Sequence, residues 1–223
     1  MDMPLNTILE KYKIILQKFN KNLKVNYEFV FNEENISRDS SKIKAIIVMD
    51  NPGREEKDQK KYLVGNAGKA FNKVFKLIGI KREEILIFNK SSISTPATGD
   101  LNKIYLHNDL KKLFIKEQEI TAKTIFEIRN LLNVPLLIHG YASYLKGEKI
   151  FIENEKSNRP LYIFFKELKM ERNAKEFTYF YKHSSYGNLS KQVSKYMREY
   201  NLETLSFEHY LDLGKQNSEN FFK

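Results

Sequence analysis

Three short apolar runs of the chain lead into polar side chains that are suited to acid–base and hydrogen-bond chemistry. Asp50 and Asn51 follow the run AIIVM, Asn89 follows the run ILIF, and His183 comes shortly after the run FTYFY. A carboxylate or amide, a second amide and an imidazole can together orient water, recognise a planar polar ligand and stabilise an anion. Each residue taken singly also has a structural explanation, since amides and carboxylates satisfy backbone groups in loops and histidines form hydrogen bonds within folds.

The apolar runs predict the strands that would position these side chains. Ala45 to Met49 is a continuous, β-branched-rich run, typical of a parallel strand covered on both faces, and Pro52-Gly53 ends it. Similar runs at 85–88, 135–138 and 177–181 alternate with helical stripes through residues 43–200. This alternation predicts an α/β fold, a three-layer α/β/α sandwich around a mainly parallel sheet of about four strands. Parallel strands end along one edge of a sheet, so the polar groups are expected to converge there.

The remaining pattern predicts one α/β domain over residues 1–223, with a packing helix at 4–21 and a tail at 214–223 that frays. Residues 26–31 are interpreted as a short strand or an extended connection, and residues 90–101 as a long loop beyond the second strand. Further helical patterns lie at 67–78, 105–115, 118–132, 141–146, 157–168, 190–200 and 204–213, and a loop or hairpin at 147–155.

The charge balance favours a polyanionic partner. The chain has 38 Lys and Arg against 28 Asp and Glu, a formal net charge of +10 and a pI of about 9.4. This excess is expected of a protein that binds nucleic acid, although a general enrichment in lysine and asparagine produces the same surface without a function.

The composition also excludes several classes. The chain contains no cysteine, which excludes disulfides, thiolate zinc sites and cysteine-ligated iron–sulfur clusters. It has no apolar run of about 18 residues and no signal-peptide pattern at its start, so we expect an intracellular, soluble, cytoplasmic protein. We expect no cofactor and no metal, and a monomer as the default oligomeric state.

Several segments, in order along the chain, resemble motifs of the uracil-DNA glycosylase superfamily. MDNPG at 49–53 is similar to a first motif of the GMNPG or GEAPG kind, and YLVGNAG at 62–68 resembles a PFVGxAG element. ILIFN at 85–89 is similar to the strand that ends in a base-reading asparagine. LLIHGYASYLKG at 136–147 resembles the LLGxxAxxxLLG segment, and HSSYGNLS at 183–190 the closing motif that begins His-Pro-Ser.

The resemblance implies a cofactor-independent DNA glycosylase that acts on uracil or a related damaged base. Asn51 or Asp50 is then expected to position or activate the attacking water, and His183 to donate to the base as negative charge develops. Asn89 would hydrogen-bond the Watson–Crick edge of the flipped base. The residues that the resemblance places beside the base are Pro52, Gly53, Tyr62 and Leu63, the last two in the position of a stacking aromatic ring.

The closing motif implies contacts with DNA. Ser184 and Ser185 would contact the phosphate backbone, and Tyr186 or Leu189 would wedge into the duplex where the base has left. The chain departs from the family pattern at Met49, Leu63 and Ser184. Two further hypotheses therefore stay open: a non-catalytic nucleic-acid binder that retains the fold, and an unrelated α/β enzyme acting on a nucleotide or another small planar substrate.

Overall fold

The structure is a computed structural model that describes residues 4–23, 27–141, 159–183 and 187–222. Its centre is a parallel sheet with the strand order β2-β1-β3-β4. The strands are β1 (Ala45–Met49), β2 (Ile85–Asn89), β3 (Leu136–His139) and β4 (Thr178–Tyr181). Nearly every strand residue is buried, as continuous apolar runs covered on both faces require. The predicted α/β fold is confirmed.

The register brings the strand exits to one edge of the sheet. Met49 pairs with Asn89 across β1 and β2, and His139 pairs with Tyr181 across β3 and β4. The residues that follow the strands therefore emerge side by side: Asp50, Lys90, Gly140 and Lys182.

Helices cover both faces of the sheet. The first face packs against α1 (Leu5–Asn22), α4 (Asn108–Leu132) and α5 (Tyr162–Met170). The second face packs against α3 (Asn66–Leu77) and α7 (Asn188–Glu199). Strand residues alternate between the two faces, with Ile46 and Val48 towards the first and Ile47 and Met49 towards the second. Two short helices, α2 (Arg54–Gln59) and α6 (Ala174–Phe177), complete the connections.

The last helix, α8 (Phe207–Phe221), runs beside the edge strand β4. Ser218 Oγ donates to the carbonyl of Thr178 and to that of Gly214, and the ring of Phe221 lies 4.5 Å from that of Phe180. These contacts hold the region that the sequence led us to expect as a frayed tail.

Other elements differ from the sequence expectations in their bounds. The two helical patterns at 105–115 and 118–132 form one helix, α4, preceded by a 3₁₀ helix at Thr98–Leu106. Of the two alternatives for 26–31, a short strand or an extended connection, the described part at 27–31 is an extended connection with a single bridge from Phe29 to Ile93. The expected helix at 141–146, apart from residue 141, and the segment 147–155 lie outside the described residues. Within the described ranges, no helix combines the length and apolar character needed to cross a membrane.

Candidate active site

A cavity of about 690 Å³ opens at the edge of the sheet where the strands end. It is lined by residues from the exits of β1, β2 and β4, from the start of α3 and from the loop after β2. Asp50, Asn51, Asn89 and His183 all contribute to this lining. The structure therefore brings together the four residues that sequence reasoning placed at separate strand ends.

Asn51 is held in a fixed orientation by the loop after β2. Its Nδ2 donates to Thr95 Oγ1 at 2.8 Å and also approaches the backbone carbonyls of Pro52 and Ile93, at 3.3 and 3.4 Å. Thr95 Oγ1 donates its own proton to the carbonyl of Ala97 at 2.8 Å, so it must accept from Asn51. Nδ2 is thus turned towards acceptors of the loop, and the buried Oδ1 has no described hydrogen-bond partner. A buried acceptor of this kind is suited to accept a hydrogen bond from water or substrate.

Thr95 was not predicted as a site residue, although the long loop at 90–101 that carries it was expected. Its side chain is buried, and its backbone N–H donates to the carbonyl of Pro52 at 3.1 Å. Thr95, Pro96, Ala97 and Thr98 together form one wall of the cavity. A threonine in a polar loop looks like many others in the sequence, so only its contact with Asn51 identifies it.

Asp50 carries the other acceptor group of the first motif, and both of its oxygens face basic side chains. Oδ1 accepts from Lys90 Nζ at 2.5 Å, and Oδ2 lies 3.7 Å from His183 Nε2. Gly140 leaves room for the carboxylate, because a Cβ atom at that position would lie 2.6 Å from Oδ1. Gly140 also has a φ of +80°, which glycine adopts without strain.

His183 approaches the cavity as a largely buried imidazole. Burial lowers its pKa; the charge of Lys90 lowers the pKa further, while the negative charge of Asp50 opposes this shift. The ring is therefore neutral at neutral pH and able to donate from one nitrogen.

Asn89 ends β2 with its side chain buried against the cavity. Its Nδ2 makes no hydrogen bond of normal geometry to a described residue, and the Tyr62 hydroxyl lies beside the Asn89 side chain. Such an N–H can donate to a ligand carbonyl in the cavity. The loop that follows is anchored by the buried carboxylate of Glu117, which accepts from Ser91 Oγ, the Ser92 N–H and Thr121 Oγ1 at 2.7 to 2.8 Å. This anchoring fixes the direction in which the chain leaves Asn89.

A comparison with known protein families places the chain in a superfamily. The family model of the Uracil DNA glycosylase superfamily matches residues 37–201, most of the chain and all four strands. The chain belongs to the uracil-DNA glycosylase superfamily. No curated protein matches it. The resemblance drawn from its sequence motifs is thus confirmed at the level of the superfamily.

The wall where superfamily motifs place a stacking aromatic ring is formed here by Leu63. Leu63 lines the cavity, whereas Tyr62 is buried behind it with its hydroxyl donating to the carbonyl of Val30. The Tyr62 ring is therefore not at the position expected for stacking, and none of the described cavity-lining residues is Phe, Tyr or Trp.

Leu63 is held by contacts on both sides. It has a φ of +55°, its N–H donates to Glu56 Oε1, and Arg82 donates to the carbonyls of Tyr62 and Leu63. Gly68 lets the start of α3 approach this turn, because a Cβ there would lie 2.0 Å from the Leu63 carbonyl oxygen. The second glycine of the YLVGNAG motif therefore has a packing role beside the cavity.

The other superfamily positions are placed as follows. Gly53 lines the cavity, and Pro52 is buried next to it with its carbonyl towards Thr95 and Asn51. Ser184, Ser185 and Tyr186 lie outside the described residues. Leu189, in the first turn of α7, is fully buried in the core, which disagrees with its expected insertion into DNA. The amphipathic packing of α7 accounts for this burial, because Leu189 and Val193 share the face that packs on the sheet.

Lys90 is the site residue that sequence reasoning missed most completely. Its side chain is fully buried, and Nζ donates to Asp50 and to the carbonyl of His139. In a lysine-rich chain, a lysine that follows a strand is expected to be a solvated surface residue, so the sequence gives no sign of its burial.

Proposed function

We propose that the protein is a DNA glycosylase that hydrolyses the N-glycosidic bond of uracil, or of a related damaged base, after the nucleotide has flipped out of DNA. The observation that carries this proposal is the set of polar groups around one cavity: Asn51 Oδ1, Asn89 Nδ2 and the neutral imidazole of His183. Superfamily membership supports a glycosylase-type function, and the net charge of +10 fits a nucleic-acid partner.

In this proposal Asn89 selects the base. Its Nδ2 donates to a carbonyl oxygen of the flipped base, as at the O4 position of uracil, and a base with an amino group at that position leaves Nδ2 unsatisfied. A mismatched polar contact in a buried site discriminates strongly against the wrong ligand. Extrusion of the nucleotide costs a few kcal/mol, which contacts in the cavity and with the phosphates offset.

Asn51 orients the attacking water. Its Oδ1 accepts a hydrogen bond from the water, whose oxygen forms the new bond to C1′ of the sugar as the bond from C1′ to the base nitrogen breaks. The bonding electron pair leaves with the base, and the proton released by the water neutralises the base anion. His183 donates to the base oxygen on which the charge develops, an electrostatic role of the oxyanion-hole kind.

The DNA contacts expected from the closing motif remain part of the proposal. Ser184 and Ser185 contact phosphates, and Tyr186 occupies the space left by the flipped base. The burial of Leu189 favours Tyr186 over Leu189 for the latter task.

The test is a panel of oligonucleotides, each carrying one modified base, incubated with excess protein. Release of free base from at least one keto-bearing lesion, such as uracil or hypoxanthine, is expected, and release should be lost in Asn51→Ala and His183→Ala. Thr7→Val, on the exposed face of α1, is the matched control and should behave as wild type. Normal release by both site variants would refute the proposed site.

A second candidate is a non-catalytic DNA binder with the same fold, and the Leu63 wall favours it. An aliphatic wall stacks less well on a base than an aromatic ring does, which weakens retention of a flipped nucleotide. Tight, salt-dependent binding with no base release from any lesion in the panel would support this candidate instead.

A further inference from the structure

The first inference concerns Lys90, an ammonium group with no exposed surface at the base of the site. Lysine is almost never fully buried unless its charge is paired, because removing the charge from water is costly. Burial lowers the pKa of Lys90, and the charge of Asp50 opposes that shift. A buried cation here therefore requires the Asp50 carboxylate.

The Lys90 ammonium joins the exits of three strands. It follows β2, donates to Asp50 after β1, and donates to the carbonyl of His139 at the end of β3. The ring of Phe165 lies 5.5 Å from Nζ and covers it from α5. The other Asp50 oxygen faces His183 after β4, so Lys90, Asp50 and His183 form a series across the whole sheet edge.

We propose that Lys90 is a positioning residue that holds Asp50 as a charge-balanced anchor for His183 and keeps it from activating water, which leaves that task to Asn51. This inference rests on the proposed function. Asp50 has one oxygen on the ammonium and the other towards the imidazole, whereas Asn51 has an oxygen without a described partner. The two acceptors of the first motif therefore have different roles.

The test compares Lys90→Met, Asp50→Asn and the double variant with wild type. Each single variant leaves one charge uncompensated and should lower the unfolding midpoint. The double variant removes both charges and should regain most of the lost midpoint. In the double variant kcat should still fall by about tenfold or more while KM changes by less than about twofold, because His183 loses its charged anchor. Lys44→Met is the matched control, since Lys44 pairs with Glu84 on a partly exposed surface at 2.6 Å.

A readout independent of activity is the NMR titration of His183, one of four histidines in the chain, assigned with His183→Gln. The titratable groups described around His183 are Asp50, Lys90 and His139, from the exits of the three other strands. Removing the Lys90 cation while Asp50 remains should raise the His183 pKa in Lys90→Met. An unchanged titration, or wild-type kcat in the folded double variant, would overturn the inference. If the wild type releases no base but Lys90→Met still raises the His183 pKa, only the proposed function is refuted.

The second inference concerns a groove of about 510 Å³ between α7 and α8. Four exposed cationic side chains line it: Lys182, Lys191, Lys195 and Arg198. Glu199 is the one carboxylate among the described lining residues. None of the four forms an ion pair with another described residue. A concentration of unpaired positive charge in a concave surface favours an anionic ligand.

Part of the groove lining lies next to the candidate active site along the chain. Lys182 directly precedes His183, and α7 starts directly after Gly187, which lines the cavity. Lys191, Lys195 and Arg198 follow at spacings of four and three residues on one face of α7, so they form a row that leads away from the cavity.

We infer that this groove binds the phosphates of the DNA strand beside the flipped nucleotide. The inference rests on DNA as the substrate, and the charge complementarity of the row with a phosphate backbone supports it. It adds a sequence-independent contact surface to the closing motif, one that determines affinity rather than the choice of base.

The test measures DNA affinity against salt for the triple variant Lys191→Ser, Lys195→Ser and Arg198→Ser. Losing three phosphate contacts should reduce the slope of log K against log salt by about three units. The matched control is Lys112→Ser, Lys116→Ser and Lys123→Ser, all exposed on α4 across the sheet, which should keep the wild-type slope. Equal slopes for the two triple variants would overturn the inference, and a lower slope without base release in any protein would refute the glycosylase proposal alone.

Discussion

The amide nitrogen of Asn51 donates to the hydroxyl oxygen of Thr95 at 2.8 Å, and Thr95 in turn donates to the carbonyl of Ala97. The directions of these two hydrogen bonds determine which end of the Asn51 amide has no described partner. Because Nδ2 points into the loop after β2, the acceptor Oδ1 is the end available for water, which is the orientation that the proposed hydrolysis needs.

Thr95→Val removes the acceptor for Asn51 while keeping the shape of the side chain. We expect kcat for base release to fall by about tenfold to a hundredfold with little change in KM, because the water is less well oriented. Single-turnover assays on a uracil-containing oligonucleotide measure this, with Thr7→Val as the control. A variant with wild-type kcat would show that Thr95 does not orient the reacting group.

Gly140→Ala places a methyl group against the Asp50 carboxylate. The new Cβ would lie 2.6 Å from Oδ1, so we expect lower stability and loss of base release. Gly79→Ala is a close control, because Gly79 has a φ of +70° and nothing within 4 Å of its added Cβ. It should show only the backbone strain, about 1–2 kcal/mol in urea unfolding, with activity retained. Equal effects of the two variants would show that the contact with Asp50 is not tight.

Leu63→Phe restores an aromatic wall to the cavity. Stacking of a base on an aromatic ring contributes about 1–3 kcal/mol, so KM should fall by about fivefold or more, and Leu63→Ala should raise it. Steady-state kinetics on the base released in the panel gives both values. Leu77→Phe, on the exposed face of α3, controls for the added ring. If KM is the same in all three variants, the flipped base does not contact residue 63.

His139 makes the fold sensitive to acid. Burial lowers its pKa to about 3 from an ordinary value of 6.5, and the charges of His183 and Lys90 add to this shift. The unfolded chain therefore binds a proton first as pH falls. The contribution of the neutral ring is complete above about pH 6.5 and is lost progressively towards pH 3, at up to about 1.4 kcal/mol per pH unit.

His139→Phe should reduce the pH dependence of stability. A phenylalanine ring can occupy the space of the His139 ring, which stacks on Tyr181 at 5.0 Å and meets Phe71 edge-on, but it does not titrate. Urea unfolding at pH 7, 5.5 and 4.5 measures the slope, with His107→Phe at an exposed position as the matched variant. The same slope for His139→Phe and wild type would contradict the assignment of acid sensitivity to this ring.

The sheet and the convergence of its polar ends could be predicted from the sequence because both follow from local patterns. Buried parallel strands are continuous apolar runs, and the residues after them meet at one edge whatever the loops do. Asp50, Asn51, Asn89 and His183 therefore line one cavity as expected. The family motifs added the order of these pieces along the chain.

Lys90 and Thr95 could not be predicted because their roles depend on contacts distant in sequence. Lys90 is buried only because Asp50, forty residues earlier, supplies its counter-charge. Thr95 matters only through its hydrogen bond to Asn51, and neither contact leaves a periodic pattern in the chain. The opposite error occurred at Leu189, where a motif position was expected at the DNA surface and the apolar face of α7 buries it instead.

The central claim is tested most directly by incubating the protein in excess with a uracil-containing oligonucleotide and quantifying free uracil and abasic sites in the same samples. Wild type should produce both in equal amounts in a single exponential phase, and Asn51→Ala and His183→Ala should each reduce the rate by about a hundredfold or more. Equal rates in wild type and in both variants, or DNA that stays intact in every sample while it is bound, would contradict the account.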